Sequence, residues 1–379
     1  MRIACAALAL LISPPAVAQA AQADSGWVAM SLDAGGVPAF TARVNGVETM
    51  ALLDTGSSDV LIDRQTAARL GLKGTRATRV NAPGGSGVAA TQAVGAVALE
   101  IGAARIALPR AQLSDLSGVN AAKGTRFGVV VGTAAFGRRV LEIDFTRMRF
   151  RLSAAAPAPR SALPFAIVRG VPVAALRVGD VTRRVMIDTG KDGDLAVAAR
   201  AFAALAQDAR ETSLGRMGLG GVSVARLAVV PALAFGTARL RDVELQGESG
   251  DGLTAVLDVD AIAGIRLLQR FNLRLDYGRR TLSLSPSGRT ATSAARSTSG
   301  LQVVYGADSA QVAHVMRNGP AALAGWKPQE RICSIDGAPI RIVAGSSTLR
   351  TWGTGPAGRT VSFGMCDGQR RRLVLADFY

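Results

Sequence analysis

Histidine is almost missing from this chain. His314 is the only one in 379 residues, which excludes zinc sites built from several histidines and argues strongly against a serine–histidine–aspartate mechanism. Cysteine is scarce too, with three residues, and none of the spacings between them is typical of a metal site. The sequence therefore predicts no metal and no other cofactor.

Aromatic residues make up only 4% of the chain while hydrophobic residues make up 49%, so small aliphatic side chains must fill its cores. Acidic residues are outnumbered, because 28 Asp plus Glu stand against 44 Lys plus Arg, a formal net charge of +16. A basic surface can bind polyanions, but no run of Lys and Arg is interleaved with aromatic residues. We therefore predict no nucleic-acid partner, and attraction to an anionic cell envelope stays open.

Long hydrophobic runs are also lacking. The only candidate for a membrane segment, residues 3–12, follows Arg2 and is too short to span a bilayer. Pro14-Pro15 ends this run, and the small residues that follow offer cleavage sites. The pattern is typical of a secretory signal. We expect residues 1–20 to be a cleaved signal peptide and the mature protein to be periplasmic or secreted, with no membrane span.

The most informative feature that is present is a repeated tripeptide. Asp54-Thr55-Gly56 and Asp188-Thr189-Gly190 each follow a hydrophobic, strand-like run. The same offset of 134 residues relates Val37-Pro38 to Val171-Pro172, together with the two-residue turn signals that follow them. Each unit therefore predicts two strands joined by a tight turn, followed by Asp-Thr-Gly.

A second pair of landmarks follows at nearly the same offset. Residues 141–152 match residues 273–284, displaced by 132 positions, so the two units differ by a net two residues (134 − 132). Because the whole order of landmarks recurs, the sequence indicates a duplicated β unit of roughly 130 residues. The alternative is two unrelated β segments that look alike.

A duplicated β unit with two Asp-Thr-Gly copies resembles the aspartic peptidase family, in particular its bacterial retropepsin-like branch, over residues 26–286. The resemblance implies a mainly β fold with two β-barrel lobes, which we expect at residues 24–153 and 160–285. It also implies an endopeptidase that acts on polypeptide substrates. Asp54 and Asp188 would lie together, share one proton and activate a water for attack on the peptide bond. Because one chain carries both half-sites, we expect a monomer.

The family roles carry over to the residues next to the aspartates. Thr55 and Thr189 would point their hydroxyls into the opposite lobe and brace the two loops. Gly56 and Gly190 would allow main-chain N–H groups to approach the carboxylates. Ser57 would hydrogen-bond the outer oxygen of the first aspartate.

Two positions of the second lobe depart from the family pattern. Lys191 stands where the first lobe has Ser57, and its ammonium would favour the charged form of Asp188 if it reached that carboxylate, but would matter little if it pointed to solvent. The family also places two apolar residues and a glycine in a strand beside the catalytic loop, as in Val130-Val131-Gly132. We assign Val256-Leu257-Asp258 as the second-lobe counterpart, which loses the glycine. Both departures favour an alternative function, a peptide-binding scaffold without catalysis.

The resemblance also implies a hairpin that closes over the substrate. Residues 81–87 are rich in glycine and follow the first catalytic loop, so we expect Gly84, Gly85 and Ser86 to form the tip of this flap. The alternative is an ordinary flexible loop. In the second lobe, the stretch from Gly215 to Gly221 is the candidate counterpart.

The C-terminal part of the chain has a different pattern. Residues 286–299 are rich in Ser, Thr and Arg and predict a linker. Beyond it, Gly319-Pro320-Ala321-Ala322 and Ile335-Asp336-Gly337-Ala338-Pro339 resemble a bacterial PDZ signature, so we expect an α+β PDZ domain at residues 300–379. That domain would bind a peptide added to its sheet edge, and the alternative is a domain kept for packing against the lobes. The peptide carboxylate would bind the main-chain N–H groups of Gly300, Leu301, Gln302 and Val303.

The cysteines that remain after signal cleavage are Cys333 and Cys366, both in strand-like runs. In an oxidising compartment they can form a disulfide. Two separate buried thiols are the alternative.

Overall fold

A computed structural model of the chain describes residues 26–33, 36–75, 77–81, 88–154, 159, 161–218, 221–289, 296–341 and 351–379. The expected signal peptide, the flap residues Gly84, Gly85 and Ser86, and residues 290–295 of the expected linker lie outside the described residues. The described part is mainly β with curled sheets, as predicted, and is consistent with the barrel-like lobes of an aspartic peptidase.

The first lobe is built from short strands joined by tight turns. Its strands are β1 (Val28–Ala29), β2 (Ser31–Leu32), β3 (Pro38–Val44), β4 (Val47–Leu53), β5 (Leu61–Asp63), β6 (Ala77–Asn81), β7 (Val88–Val94), β8 (Val97–Ile101), β9 (Ala104–Leu108), β10 (Ala111–Ser114), β11 (Val129–Val131), β12 (Val140–Asp144) and β13 (Arg149–Ser153), and its helices are α1 (Arg64–Arg69) and α2 (Ser117–Lys123). One sheet runs in the order β6-β7-β10-β5-β11-β4-β3-β8-β9, with β2 beside β3. Asn45 and Gly46 close the β3–β4 hairpin with positive φ angles (49° and 80°), which a two-residue turn of this kind requires.

The second lobe repeats this arrangement. Its strands are β14 (Leu163–Val168), β15 (Val171–Val178), β16 (Val181–Ile187), β17 (Leu195–Val197), β18 (Glu211–Gly218), β19 (Gly221–Phe235), β20 (Ala238–Gly247), β21 (Ala261–Ala263), β22 (Phe271–Asp276) and β23 (Thr281–Pro286), and its helices are α3 (Ala199–Leu205), α4 (Leu253–Val256) and α5 (Ile265–Leu268). A second sheet runs through both lobes in the order β1-β13-β12-β22-β23-β14-β15-β16-β21-β17-β20-β19-β18.

The two lobes meet at equivalent strands. Strand β12 of the first lobe lies antiparallel to its repeat β22, with Leu141 opposite Leu275. Two equivalent strands that pair in this way are related by a twofold rotation, so the duplication in the sequence becomes a pseudo-twofold axis between the lobes. One continuous cluster of buried apolar side chains contains residues from both lobes, including Phe136, Phe150 and Phe235.

The pairing of the short strands beside the Asp-Thr-Gly loops corrects one expectation. In the first lobe, β11 runs parallel to β4 and is followed by Gly132; in the second, β21 runs parallel to β16 and is followed by Gly264. A Cβ atom at either glycine would overlap main-chain carbonyl oxygens of the adjacent loop. The counterpart of Val130-Val131-Gly132 is therefore Ile262-Ala263-Gly264, and the assignment to Val256-Leu257-Asp258 was wrong.

The local structure around Asp258 shows that this residue is not the counterpart of Gly132. Helix α4 occupies the preceding residues, and Asp258 follows it in a turn with φ of 49°. Its side chain is 71% exposed and forms ion pairs with Arg184 (2.6 Å) and Arg200 (3.5 Å). Asp258 is a surface residue, so the acid at this position does not alter the second catalytic loop.

The C-terminal domain is a separate α+β unit. Its elements are β24 (Leu301–Tyr305), β25 (Ala310–Val315), α6 (Pro320–Leu323), β26 (Arg331–Ile335), β27 (Ala338–Pro339), β28 (Thr360–Met365) and β29 (Arg370–Val374). The sheet runs in the order β24-β25-β26-β28-β29, and β27 pairs with β26. In its core, Trp326 and Trp352 lie edge-on to Phe363, with ring centroids 5.0 and 5.1 Å apart. Cys333 and Cys366 form a disulfide, which decides between the two alternatives for this pair.

This domain packs directly on the second lobe. Met316 and Tyr379 from the C-terminal domain form a buried cluster with Leu227 of β19. The Thr212 hydroxyl of β18 donates to the main-chain oxygen of Arg317 at 2.6 Å. The base of the β18–β19 hairpin is therefore enclosed between its own sheet and the C-terminal domain.

No helix among the described residues is long and apolar enough to cross a membrane.

Truncation of Met316 tests whether this packing contributes to stability. Met316 is 1% exposed, so we expect Met316→Ala to lower the free energy of unfolding by about 2–5 kcal/mol, measured by chemical denaturation. Val304 lies in the same domain and is 56% exposed, so Val304→Ala should change stability by no more than about 0.5 kcal/mol. Equal losses in the two variants would contradict the assignment of the interface.

Candidate active site

The two Asp-Thr-Gly loops are held in matching positions by their neighbouring strands. The main-chain N–H of Asp54 donates to the oxygen of Val131 at 3.0 Å, and that of Asp188 donates to the oxygen of Ala263 at the same distance. A side chain at Gly56 would overlap the carboxylate of Asp188, and one at Gly190 would overlap that of Asp54. Each glycine therefore lies against the aspartate of the opposite lobe. This close approach brings the two carboxylates together at the lobe interface.

The two threonines connect these loops with reciprocal hydrogen bonds. The Thr55 hydroxyl donates to the oxygen of Ile187 at 2.7 Å, and the Thr189 hydroxyl donates to the oxygen of Leu53 at 2.7 Å. Each hydroxyl also accepts the main-chain N–H of the other threonine, at 3.0 and 3.1 Å. Both threonines have no exposed surface. The hydroxyls and the main-chain N–H groups of both threonines are therefore hydrogen-bonded, and each hydroxyl reaches the opposite lobe as the family resemblance implies.

A second contact between the lobes lies beside this junction. The Thr133 hydroxyl donates to the main-chain oxygen of Gly170 in the second lobe at 2.5 Å. Thr133 directly follows Gly132, but the sequence analysis did not single it out. Its position one residue after the family glycine is the only signal that could have indicated it.

The carboxylates accept hydrogen bonds from their own loops, but the two loops differ. Asp54 Oδ1 accepts the N–H of Gly56 at 2.8 Å, while Asp188 Oδ1 accepts those of Gly190 at 2.9 Å and Lys191 at 3.0 Å. The Ser57 hydroxyl, expected to bind Asp54, instead donates to the main-chain oxygen of Asp59 at 2.9 Å. A hydroxyl has one proton to donate, so in this structure Ser57 braces the loop and not the carboxylate.

Burial and the neighbouring charge of Asp54 raise the pKa of Asp188 well above its ordinary value. The positive charge of Lys191 and the N–H of Gly190 oppose this rise but do not cancel it. Asp188 is 7% exposed, whereas Asp54 is half-buried, so burial penalises the charged form of Asp188 more strongly. The arrangement can hold one proton and one negative charge at neutral pH, and the two titration steps belong to the pair.

Tyr277 is a residue near this pair that the sequence analysis missed. It packs between the rings of Phe136 (5.4 Å) and Phe165 (5.7 Å) at the lobe interface. Burial and the charge of Asp54 raise its pKa, so its hydroxyl stays protonated. Tyr277 is the repeat of Phe145 at the offset of 132 residues, and the change from Phe to Tyr is the signal that could have drawn attention to it.

Hairpins occupy the positions where flaps were expected. Strands β6 and β7 pair antiparallel as far as Asn81 opposite Val88. Residues 82–87, which include the expected flap tip, lie outside the described residues. In the second lobe, β18 and β19 pair as far as Gly218 opposite Gly221. The stretch from Gly215 to Gly221 is thus the end of a hairpin, of which residues 219 and 220 lie outside the described residues.

The segment expected to bind a peptide carboxylate has other contacts. The N–H of Gly300 donates to the hydroxyl of Ser297 at 3.0 Å, and that of Leu301 donates to the hydroxyl of Ser299 at 3.1 Å. The side chain of Gln302 forms two hydrogen bonds with the main chain of Gly215, at 2.6 and 3.2 Å. Val303 lies in β24. A carboxylate would have to displace the serine hydroxyls to use the first two N–H groups.

Thr55→Val tests the junction between the loops. The substitution keeps the volume but leaves the Ile187 oxygen and the Thr189 N–H without their partner, at a cost of about 1–3 kcal/mol for each group. We expect a loss of that order in the free energy of unfolding, and a smaller loss for Thr55→Ser, which retains the hydroxyl. Thr41→Val, on the exposed face of β3, is the control and should change stability little. A loss for Thr41→Val as large as that for Thr55→Val would contradict the interpretation.

Asp188→Asn tests the raised pKa of that carboxyl through stability. The folded state holds the proton more tightly than the unfolded chain, whose aspartate pKa is about 3.9. This contribution is fully present below the unfolded pKa and is lost as pH rises through the folded pKa. Because Asn does not ionise, Asp188→Asn should be more stable than the wild type at neutral pH, and the difference should shrink in acid. Asp258→Asn should show no such gain in unfolding measurements across pH, and an identical profile for both variants would contradict the prediction.

Comparison with known proteins adds one finding on the first lobe. A family described as aspartyl protease matches residues 40–133, a range that includes both Asp54-Thr55-Gly56 and Val130-Val131-Gly132. No curated protein matches the chain. The match supports a protease of the retropepsin-like aspartyl type, and the second lobe supplies the other half of the site through the internal repeat.

Proposed function

We propose that this protein is an aspartic endopeptidase that hydrolyses polypeptides with a water activated between Asp54 and Asp188. The observation that carries the proposal is the mutual approach of the two loops, in which each glycine lies against the opposite aspartate. The raised pKa of Asp188 supports it, since a pair of this kind requires one carboxyl that keeps its proton. The family match over residues 40–133 agrees with the same chemistry.

The difference in environment assigns a role to each carboxyl. Asp54, the more exposed, carries the charge and takes a proton from the water as the water oxygen attacks the scissile carbonyl. Asp188, the more buried, holds the shared proton and donates it to the carbonyl oxygen as the tetrahedral intermediate forms. As the intermediate collapses and the C–N bond breaks, Asp54 gives its proton to the leaving amine, and Asp188 takes a proton back from a hydroxyl of the intermediate. Neither carboxyl changes its net proton content over the cycle.

We propose that the C-terminal domain is a PDZ domain that binds a polypeptide segment. Among the described residues β24 pairs with β25 alone, so its other edge can accept an added strand. Val304 on this strand is 56% exposed and offers an apolar contact. Since the N–H groups of Gly300 and Leu301 are bonded to serine hydroxyls, strand addition is better supported than capture of a terminal carboxylate.

A periplasmic or secreted location, reached after cleavage of residues 1–20, belongs to the same proposal. The disulfide between Cys333 and Cys366 supports it, because such bonds persist in oxidising compartments. The monomeric state is supported by the internal pairing of Asp54 and Asp188, which needs no second chain.

Cleavage of denatured casein tests the peptidase. We expect Asp54→Asn and Asp188→Asn each to reduce kcat/KM by at least about 10²–10⁴-fold, because each removes a proton-transfer group. The measurement is the rate of peptide release between mildly acidic and neutral pH. Asp258→Asn removes a carboxylate at the surface of the second lobe and should retain wild-type activity. Full turnover in either active-site variant would refute the proposal.

A peptide-binding scaffold without catalysis is the second candidate, and Lys191 beside Asp188 is the observation that favours it. A folded wild type that binds unfolded polypeptide without cleaving it would establish this alternative. Tight binding of a non-cleavable tetrahedral peptide analogue, lost in Asp54→Asn, would argue against it, since such analogues are complementary to the transition state.

A further inference from the structure

The two lobes differ at one position beside the second aspartate. Lys191 follows Asp-Thr-Gly where the first lobe has Ser57. On the neighbouring strand, Gln246 of β20 is opposite Ala196, just as its repeat Gln112 of β10 is opposite Leu61. The lobes therefore share the glutamine and differ in the lysine. In the second lobe the two side chains contact each other, because Lys191 Nζ donates to Gln246 Oε1 at 2.9 Å.

Gln246 is itself held in one orientation. It is 4% exposed, and its Nε2 donates to Glu244 Oε1 at 2.7 Å. Glu244 is held in turn by the guanidinium of Arg266, 3.0 Å away. Because its amide nitrogen donates to Glu244, Gln246 presents its amide oxygen to the ammonium of Lys191. An exposed lysine is usually mobile, but this one has a fixed acceptor on the adjacent strand.

The ammonium of Lys191 donates to two neutral acceptors. Lys191 Nζ donates to the main-chain oxygen of Asp192 at 2.8 Å and to the amide of Gln246, both neutral acceptors. The main-chain N–H of the same residue donates to Asp188 Oδ1. The lysine is therefore attached to the aspartate through its main chain, while its side chain is anchored beside the catalytic loop.

Other charged groups also face this lysine. Glu248, after β20, has side-chain contacts with the guanidinium of Arg216 of β18, 3.6 Å away, and with the N–H of Thr254 at 2.9 Å. Asp192, on the lysine's own loop, is exposed to solvent. Burial lowers the pKa of Lys191; the charges of Asp192, Glu248 and Asp188 oppose this fall, and that of Arg216 adds to it.

We propose that Lys191, anchored by Gln246, is a positioning residue that holds a positive charge beside Asp188 and so sets the pH range in which the two aspartates share one proton. The proposal rests on the proposed function. A nearby positive charge favours the ionised carboxylate. The pKa of Asp188 is raised by burial and by Asp54, and Lys191 is the charge that opposes both. Without the lysine, both titration steps of the pair would lie at higher pH.

The first test follows the carboxyls themselves and does not depend on turnover. In the full chain labelled with [¹³Cγ]-aspartate, the active-site carbon signals are identified by their loss in Asp54→Asn and Asp188→Asn. We expect Lys191→Met to move both titration steps of the pair to higher pH. Lys191→Arg, which keeps the charge, should titrate close to the wild type.

Two further variants separate charge from packing. Lys191→Ser installs the residue that the first lobe has at this position, so it should fold and should titrate like Lys191→Met. Lys327→Met removes the same charge from an exposed site in the C-terminal domain and should leave the titration unchanged, since solvent and salt screen distant charges. A wild-type titration in Lys191→Met, or an equal shift in Lys327→Met, would overturn the proposal.

The pH profile of kcat/KM on denatured casein provides the second test. Both limbs should move to higher pH in Lys191→Met, with the maximum largely retained and the profile restored in Lys191→Arg. A uniform loss at every pH without displacement would indicate a structural role and would overturn the proposal. If the wild type shows no turnover, the proposed function fails, but the carboxyl titration still decides whether Lys191 biases the pair.

Discussion

The reciprocal hydrogen bonds between Thr55 and Thr189 are the contact on which the rest of the site depends. Each hydroxyl bonds to the main chain of the other lobe, and both are fully buried. In such surroundings an unpaired hydroxyl or N–H is costly, so the two loops are stable only when they are interlocked. Their interlocking places Gly56 and Gly190 against the opposite carboxylates, where burial and the nearby charge of Asp54 raise the pKa of Asp188. The chemistry of the pair therefore depends on a contact made by neither aspartate.

The pseudo-twofold symmetry ends at the edges of this junction. The strands beside both loops pair alike, yet the residue after the second Asp-Thr-Gly is Lys191, whose N–H donates to Asp188 and whose ammonium is bound by Gln246. A duplicated unit supplies two equivalent carboxyls, whereas acid–base chemistry needs two that differ in proton affinity. The difference in burial between Asp54 and Asp188, together with this lysine, makes the two halves unequal while the strand framework stays the same.

The C-terminal domain extends the second lobe beyond the repeat. It encloses the base of the β18–β19 hairpin through an apolar cluster and through Gln302, which bonds to both main-chain groups of Gly215. The next residue, Arg216, pairs with Glu248. The hairpin is thus held by the C-terminal domain on one side and by the polar groups near the catalytic loop on the other.

The sequence predicted the paired aspartates, the bracing threonines and the mainly β lobes because these follow from short motifs at a constant offset. The sequence did not identify the counterpart of Gly132, since two apolar residues precede the third residue in both Val256-Leu257-Asp258 and Ile262-Ala263-Gly264. Only the parallel pairing of β21 with β16 distinguishes them. The sequence also predicted the wrong acceptor for the Ser57 hydroxyl, which donates to a main-chain oxygen of its own loop. The expected flap tip at Gly84, Gly85 and Ser86 stays a prediction.

By itself, then, the sequence determined which residues repeat and which chemistry the repeat can support, because periodicity and motif spacing are local properties of the chain. The tertiary structure alone decided what surrounds each carboxyl: the opposite glycine, the half-buried state of Asp54, the ring of Tyr277 and the amide that holds Lys191. These neighbours lie far away along the chain, and proton affinity depends on burial and on charges close in space. For that reason the identity of the pair could be predicted from motifs, but the inequality of its two members could not.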